Sequence, residues 1–154
     1  MGRRMGKIDE IDLKILTELT SNANISIPKL SKKLNINSSV IYSRIKRLIK
    51  RELIKKFTIE INEEQLGYNV AAIVGLNIDA KLRENIVSKL SQIPEIREIS
   101  EVTGRFDMII NLKTKSLDDL HDLILNKIAA IEGVTHTETF LQMKRKVNPL
   151  VFTK

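Results

Sequence analysis

The stretch Asn35–Glu52, NINSSVIYSRIKRLIKRE, decides how the first part of the chain is read. Ile41, Ile45 and Leu48 fall at i, i+4 and i+7, the spacing of one buried helical face. The opposite face carries Ser39, Tyr42, Ser43, Lys46, Arg47 and Lys50, and Glu52 is the one acid in the stretch. Asn37 or Ser38 suits the N-cap of such a helix. Asn35 tolerates the left-handed conformation that a tight turn between two helices needs. Such a segment is either a solvated basic helix or a surface built to meet a polyanion.

Upstream, IDEIDLKILTELTSN sets Ile8, Ile11, Ile15, Leu16 and Leu19 at helical spacing. Asp9 and Glu10 sit where a helix N-terminus favours anions, and Asn22 and Asn24 mark its end. SIPKLSKKLN then offers Ser26 as N-cap, Pro28 in the first turn, and Leu30 and Leu34 facing inward over about two turns. Downstream, LIKKFTIEIN alternates Ile54, Phe57, Ile59 and Ile61 with Lys55, Lys56, Thr58 and Glu60, which predicts a strand. Three helices, a tight turn between the last two and a basic strand make a winged helix-turn-helix pattern.

A polar cluster with Gly67, EEQLGYN, is the expected boundary. Beyond it YNVAAIVGLNID reads as a strand, and KLRENIVSKLSQI as a helix with Leu82, Ile86, Val87 and Leu90 inward, ended by Pro94. EIREISEV and RFDMIINLKT predict two strands around the turn Thr103-Gly104-Arg105. SLDDLHDLILNKIAAI predicts a helix with Ser116 as N-cap, Asp118 and Asp119 in its first turn, and Gly133 as its stop. VTHTETFLQMKRKV closes the series as a strand. The order βαββαβ is the ferredoxin-like split βαβ pattern. The expected class is therefore α+β: a winged helix-turn-helix over 1–62, a linker over 63–69 and a ferredoxin-like domain over 70–154.

Composition narrows the function. Among 154 residues there is no Cys and no Trp, and His121 and His136 are the only histidines, so no thiolate site and no convincing zinc site is expected. No apolar run is long enough for a membrane helix, and the basic start MGRRMGKIDE lacks the apolar stretch of a secretory signal, so the expected location is the cytoplasm. Residues 1–62 hold 14 Lys and Arg against 6 Asp and Glu, whereas residues 63–154 hold 12 against 13. The net charge of +7 thus sits wholly in the first module. A charge serving general solubility has no reason to segregate in this way.

The segregated charge and the turn chemistry favour double-stranded DNA as partner. In a helix-turn-helix the second helix of the motif enters the major groove with its early residues at base edges. Ser38, Ser39, Tyr42 and Ser43, with Asn37 at the start, are placed to reach bases. Lys46, Arg47, Lys50 and Arg51 follow where the helix leaves the groove, and Lys55 and Lys56 on the wing suit phosphate. An enzyme is the main rival. No nucleophile–base constellation, phosphate loop or metal spacing supports one, so no catalytic residue and no metal ligand is expected.

Taken in order, IDEIDLKILTEL, SIPKLSKKLNINSSVIYSRIKRL, LGYNVAAIVGL, IPEIREISEVTGRFDMII and IEGVTHTETF resemble the Lrp/AsnC, or feast/famine, family of transcriptional regulators from about Ile8 to Val147. Arg44-Ile45 matches the family's Arg-Ile in the recognition helix, which adds Arg44 to the expected DNA-binding residues. Gly104 and Asp107 match its Gly-x-x-Asp turn. The resemblance implies a homodimer made by edge strands of the ferredoxin-like domain, assembly of dimers into tetramers or octamers, and an amino-acid effector bound between dimers. It implies Gly104, Arg105, Asp107, Thr137 and Thr139 as effector-site residues. Asp107 suits an ammonium group, and backbone N–H groups near Gly104 suit a carboxylate. Equally, Gly104 is what a hairpin turn demands, and the threonines are ordinary strand residues. Glu52 departs from the family's Gly after the recognition helix, at a cost of up to roughly 1 kcal/mol. The function expected is a sequence-specific regulator modulated by an amino acid. An architectural or autoregulatory DNA-binding protein without an effector is the alternative.

Overall fold

Asp9 opens the first helix, α1 (Glu10–Ser21), with a reciprocal cap: its carboxylate accepts the Asp12 N–H at 3.0 Å, and Asp12 returns a bond to the Asp9 N–H at 3.2 Å. The computed structural model describes residues 6–154. Residues 1–5 of the basic start MGRRMGKIDE, expected not to be a secretory signal, lie outside them. Ser26 caps α2 (Ile27–Leu34) through the Lys29 N–H, with Pro28 in the first turn. Asn35 closes α2 in the left-handed region at φ 53°, and Asn37 caps α3 (Ser38–Lys50). Ser31 locks the intervening turn by donating its hydroxyl to the Ile36 carbonyl. These helices enclose a core of Ile15, Leu30, Ile41 and Leu48, each almost fully buried, with Ile45 and Ile54 packed at its rim.

The wing differs from expectation. Residues 53–62 form no strand, and Phe57, Ile59 and Ile61 are more than half exposed. The alternation is present, but a strand exists only through a ladder partner for its N–H and C=O groups. Leu53 and Ile54 instead turn their N–H groups back to the Leu48 carbonyl, finishing α3. Glu52 takes φ 59° in that closure, the left-handed position noted above as lacking glycine.

The second unit is a four-stranded antiparallel sheet in the order β2-β3-β1-β4. Its strands are β1 (Val70–Ile78), β2 (Ile96–Glu101), β3 (Met108–Thr114) and β4 (Val134–Leu141). One face, from Ala72, Val74, Leu76, Met108, Ile110 and Leu112, is buried under α4 (Arg83–Ser91) and α5 (Leu117–Asp122). Ile86, Leu90, Leu120, Leu123 and Ile128 fill the space between. The helix predicted up to Gly133 widens to a π turn over Leu123–Ile128 and stops there. No simple spacing rule in the sequence announces such a change of pitch.

The chain divides into two compact units, Met1–Glu60 with Lys146–Lys154, and Ile61–Arg145. The short 3₁₀ turn Glu63–Leu66 thus belongs with the sheet, where Glu63 accepts from Lys113 at 2.9 Å and Arg97 at 2.7 Å. The last nine residues belong with the helices rather than with the sheet that precedes them.

Candidate nucleic-acid interface and effector site

Most of the expected DNA-contact residues lie on α3, and they split into two groups. Tyr42 is half exposed, Ser39, Ser43, Lys46 and Lys50 are exposed, and Ser38 is half-buried. The Lys46 ammonium lies 5.2 Å from the centre of the Tyr42 ring one turn earlier, which fixes both side chains on the same face. Asn37 is committed: its side-chain oxygen accepts from the Ser39 N–H at 3.0 Å and the Ser39 hydroxyl at 2.9 Å. Its role in the structure is to set the start of the helix. Lys55 and Lys56 are exposed. Among the described residues, none of Lys46, Lys50, Lys55 and Lys56 forms an ion pair.

Arg44 and Arg47 point elsewhere. Arg47 Nη2 donates to both oxygens of Asp12, at 2.9 and 2.7 Å. Arg44 Nη1 donates to Asp9 and, at 3.3 Å, to Asp12. The Asp12 side chain is wholly buried, while those of Arg44 and Arg47 are 22% and 43% exposed. Sequence alone placed both arginines among the DNA contacts; here their guanidinium groups tie α3 to the N-terminus of α1. The physical reason is that a buried carboxylate needs a paired, hydrogen-bonded partner. A planar guanidinium supplies this in bidentate form. Arg51 is also engaged within the chain, donating at the surface to the Gly6 carbonyl. The hub, Asp12, was missed by sequence reasoning. Its signal was an acid four residues after Ile8 and three before Ile15, on the apolar stripe of α1.

The Arg44 guanidinium, followed by the Asp12 N–H, holds the Asp9 carboxyl down from the usual 3.8 to about 2. Asp9 therefore stays ionised across the neutral range and keeps α1 and α3 joined.

In the second unit the turn between β2 and β3 carries Gly104 at φ 136°, with nothing within 4 Å of where a Cβ would stand. Asp107 follows at the sheet end. Its N–H donates to the Leu76 carbonyl at 2.9 Å, and its carboxylate accepts the Ile78 N–H at 2.9 Å. One oxygen of the expected ammonium acceptor is thus engaged by backbone. Arg105 pairs with Glu138 at 3.0 Å and lies over the Phe106 ring, while its carbonyl accepts from the Asn77 side chain at 2.9 Å. Thr137 and Thr139 stand opposite Leu76 and Val74 on the neighbouring strand, and Glu138 stands opposite Gly75. Arg105 and Asp107 thus sit at the Asn77–Ile78 end of β1, Thr137 stands near that end opposite Leu76, and Thr139 stands opposite the middle of the strand at Val74. The threonines take the helix-covered side of the sheet, whereas Arg105 is drawn to Glu138 on the other. A separate cleft of about 340 Å³, lined by Tyr68, Glu95, Lys115, Asp119 and Lys127 among others, holds none of the five.

Comparison with known proteins gives these two surfaces a family. Residues 8–55 match the winged helix-turn-helix DNA-binding family model, and residues 71–150 match the Lrp/AsnC ligand binding domain. The HTH-type transcriptional regulator FL11 of Pyrococcus furiosus is 37% identical over 139 residues, covering 90% of this chain and 91% of that one. The FL11 of Pyrococcus horikoshii is 35% identical, covering 89% and 90%. Among solved structures, E. coli AsnC superposes with a TM-score of 0.83 at 28% identity, over 97% of this chain and 99% of its own. A Neisseria meningitidis transcriptional regulator, NMB0573, solved as its L-Met complex, superposes at 0.90 with 18% identity, over 96% and 97%. The chain belongs to the Lrp/AsnC family of DNA-binding transcriptional regulators, which are not enzymes. Among the described residues, no helix is long and apolar enough to cross a membrane.

Proposed function

We propose that this regulator reads double-stranded DNA with the early, hydroxyl-bearing face of α3. Ser38, Ser39, Tyr42 and Ser43 would meet base edges, Lys46, Lys50, Lys55 and Lys56 would meet phosphates, and Arg44 and Arg47 would set the angle of the helix. The observation that carries this reading is the run of exposed lysines on α3 and beyond it without ion-pair partners, against arginines paired inward. A titration of the chain's own upstream DNA against scrambled DNA, repeated at several salt concentrations, tests it. A log–log salt slope near −0.9 per neutralised phosphate and a preference of roughly 10³-fold or more are expected. A flat salt response contradicts the reading.

The same proposal gives the second unit an amino-acid effector at the turn Gly104–Asp107 with Thr137 and Thr139, and makes the working molecule a cytoplasmic homodimer or higher assembly. Support comes from the matched ligand-binding model, from the L-Met carried by the meningococcal neighbour and from the open approach to Gly104. Self-association is supported by the apolar residues Ile73, Phe106, Ile109 and Phe140 on the sheet face away from the helices. A thermal-shift screen of all twenty amino acids, with assembly size followed in parallel, tests both. A binder present at a hundred times its Kd stabilises the fold by about 2.7 kcal/mol. The engagement of Asp107 with the Ile78 N–H favours a second reading, a regulator without an effector. That reading predicts no hit among the twenty.

A further inference from the structure

The nine residues Lys146–Lys154 have no regular secondary structure, yet they belong with the DNA-binding helices. Their anchor is specific. The Phe152 N–H donates to the Thr17 hydroxyl oxygen at 3.0 Å across 135 positions of sequence. The Thr17 hydroxyl hydrogen is already given to the Leu13 carbonyl at 2.8 Å, so its oxygen is left to accept. Leu13 and Thr17 lie one turn apart on one face of α1, and both are half-buried. Phe152 is 38% exposed, against 67% for its neighbour Val151 and 68% for Val147, so it is the best covered of the three.

The two ends of this segment lead to the two candidate sites. Upstream it continues β4, which carries Thr137 and Thr139, and whose ladder is prolonged by the Gln142 N–H bonding to the Ala71 carbonyl at 2.9 Å. Its landing point, Thr17, lies on α1, whose Asp9 and Asp12 grip Arg44 and Arg47 of the recognition helix. We propose that Lys146–Lys154 is a strap through which the state of the ligand-binding strand is passed to the recognition helix, by way of Thr17 and the Asp12 hub. Hydrogen-bond networks and covalent links that join two sites are among the routes by which such coupling is carried. The coupling part of this inference rests on the amino-acid reading above.

The test compares the full chain with a chain ending at Arg145 and with Thr17→Val, which keeps the shape and removes the acceptor. Amide hydrogen exchange is read at Phe152 and along α1. DNA affinity is read with and without whichever of the twenty amino acids raises the full chain's melting temperature, and binding of that amino acid is measured separately on each variant. The strap predicts a protected Phe152 amide in the full chain, lost in Thr17→Val. It also predicts unchanged amino-acid binding in both variants, and an effect on DNA affinity that falls from roughly fivefold or more to near unity. An undiminished effect in the chain ending at Arg145 overturns the proposal. Should no amino acid bind the full chain, the effector reading fails, and the strap is judged on exchange alone. A Phe152 amide that exchanges like an unfolded peptide then overturns the docking, and a protected one that Thr17→Val exposes upholds the docking while the coupling falls with the effector.

Discussion

Asp12, a wholly buried carboxylate, ties α3 to the start of α1. It is buried against two guanidinium groups, so its removal strands Arg47 and leaves Arg44 with Asp9 alone. Asp12→Ala is expected to destabilise the first unit by roughly 2–4 kcal/mol, discounted from the fully buried case because Arg47 keeps partial access to water. Chemical denaturation followed by circular dichroism measures this, and a loss below about 0.5 kcal/mol would contradict the role given to Asp12. Asp9 gives the junction its pH dependence. Its carboxyl is held at about 2 in the fold against the usual 3.8, so its contribution is complete above pH 4 and is lost as pH falls from there towards 2. Asp9→Asn should flatten acid unfolding in that window, in an acid titration followed by tryptophan-free probes such as far-ultraviolet dichroism, and leave the neutral-to-alkaline limb unchanged. Glu52 offers the opposite case, a residue the fold would gain by losing. With φ at 59°, Glu52→Gly should add up to about 1 kcal/mol in the same denaturation assay.

At the scale of elements, legibility followed locality. The caps Ser26, Asn37 and Ser116, the left-handed Asn35 and the apolar faces of α3 and α4 are set by residues within four positions of one another, and local spacing finds them. The strand expected in LIKKFTIEIN does not form, because pairing is a property of two segments and 53–62 has no partner segment among the described residues. The inward turn of Arg44 and Arg47 depended on contacts 32–35 positions away, beyond any spacing rule. The effector turn was legible as a turn, whereas the use of Asp107 on the Ile78 N–H was not. Gly75 in mid-β1 reads as a weak strand residue, and the structure supplies its reason. A Cβ there would stand 2.6 Å from the Phe106 ring. Gly75→Ala should therefore cost about 1–3 kcal/mol, by overpacking rather than by strand propensity, and the second unit's thermal midpoint should report it. On the DNA side, Lys55→Ala and Lys56→Ala should each lower the magnitude of the salt slope by about 1 and weaken specific and scrambled DNA alike. Tyr42→Ala should narrow the gap between the two in a competition titration.

For the whole molecule, the excess positive charge lies in residues 1–62, and the two units keep separate cores. That separation explains why the resemblance could be read piecewise from short motifs, while the allegiance of the last nine residues could not: nothing in KVNPLVFTK names Thr17 as its partner. The sorting of cations on the recognition helix carries one more consequence. All three guanidinium groups between Asn35 and Glu52 are spent inside the chain, so the charge presented outward there is carried by primary amines. Amines are nucleophiles and guanidinium groups at neutral pH are not. Mild acylation of the folded protein should therefore silence DNA binding while leaving the α1–α3 junction intact. Added DNA should shield Lys46 and Lys50 from the reagent, a footprint readable by mass spectrometry from the protein's side of the complex.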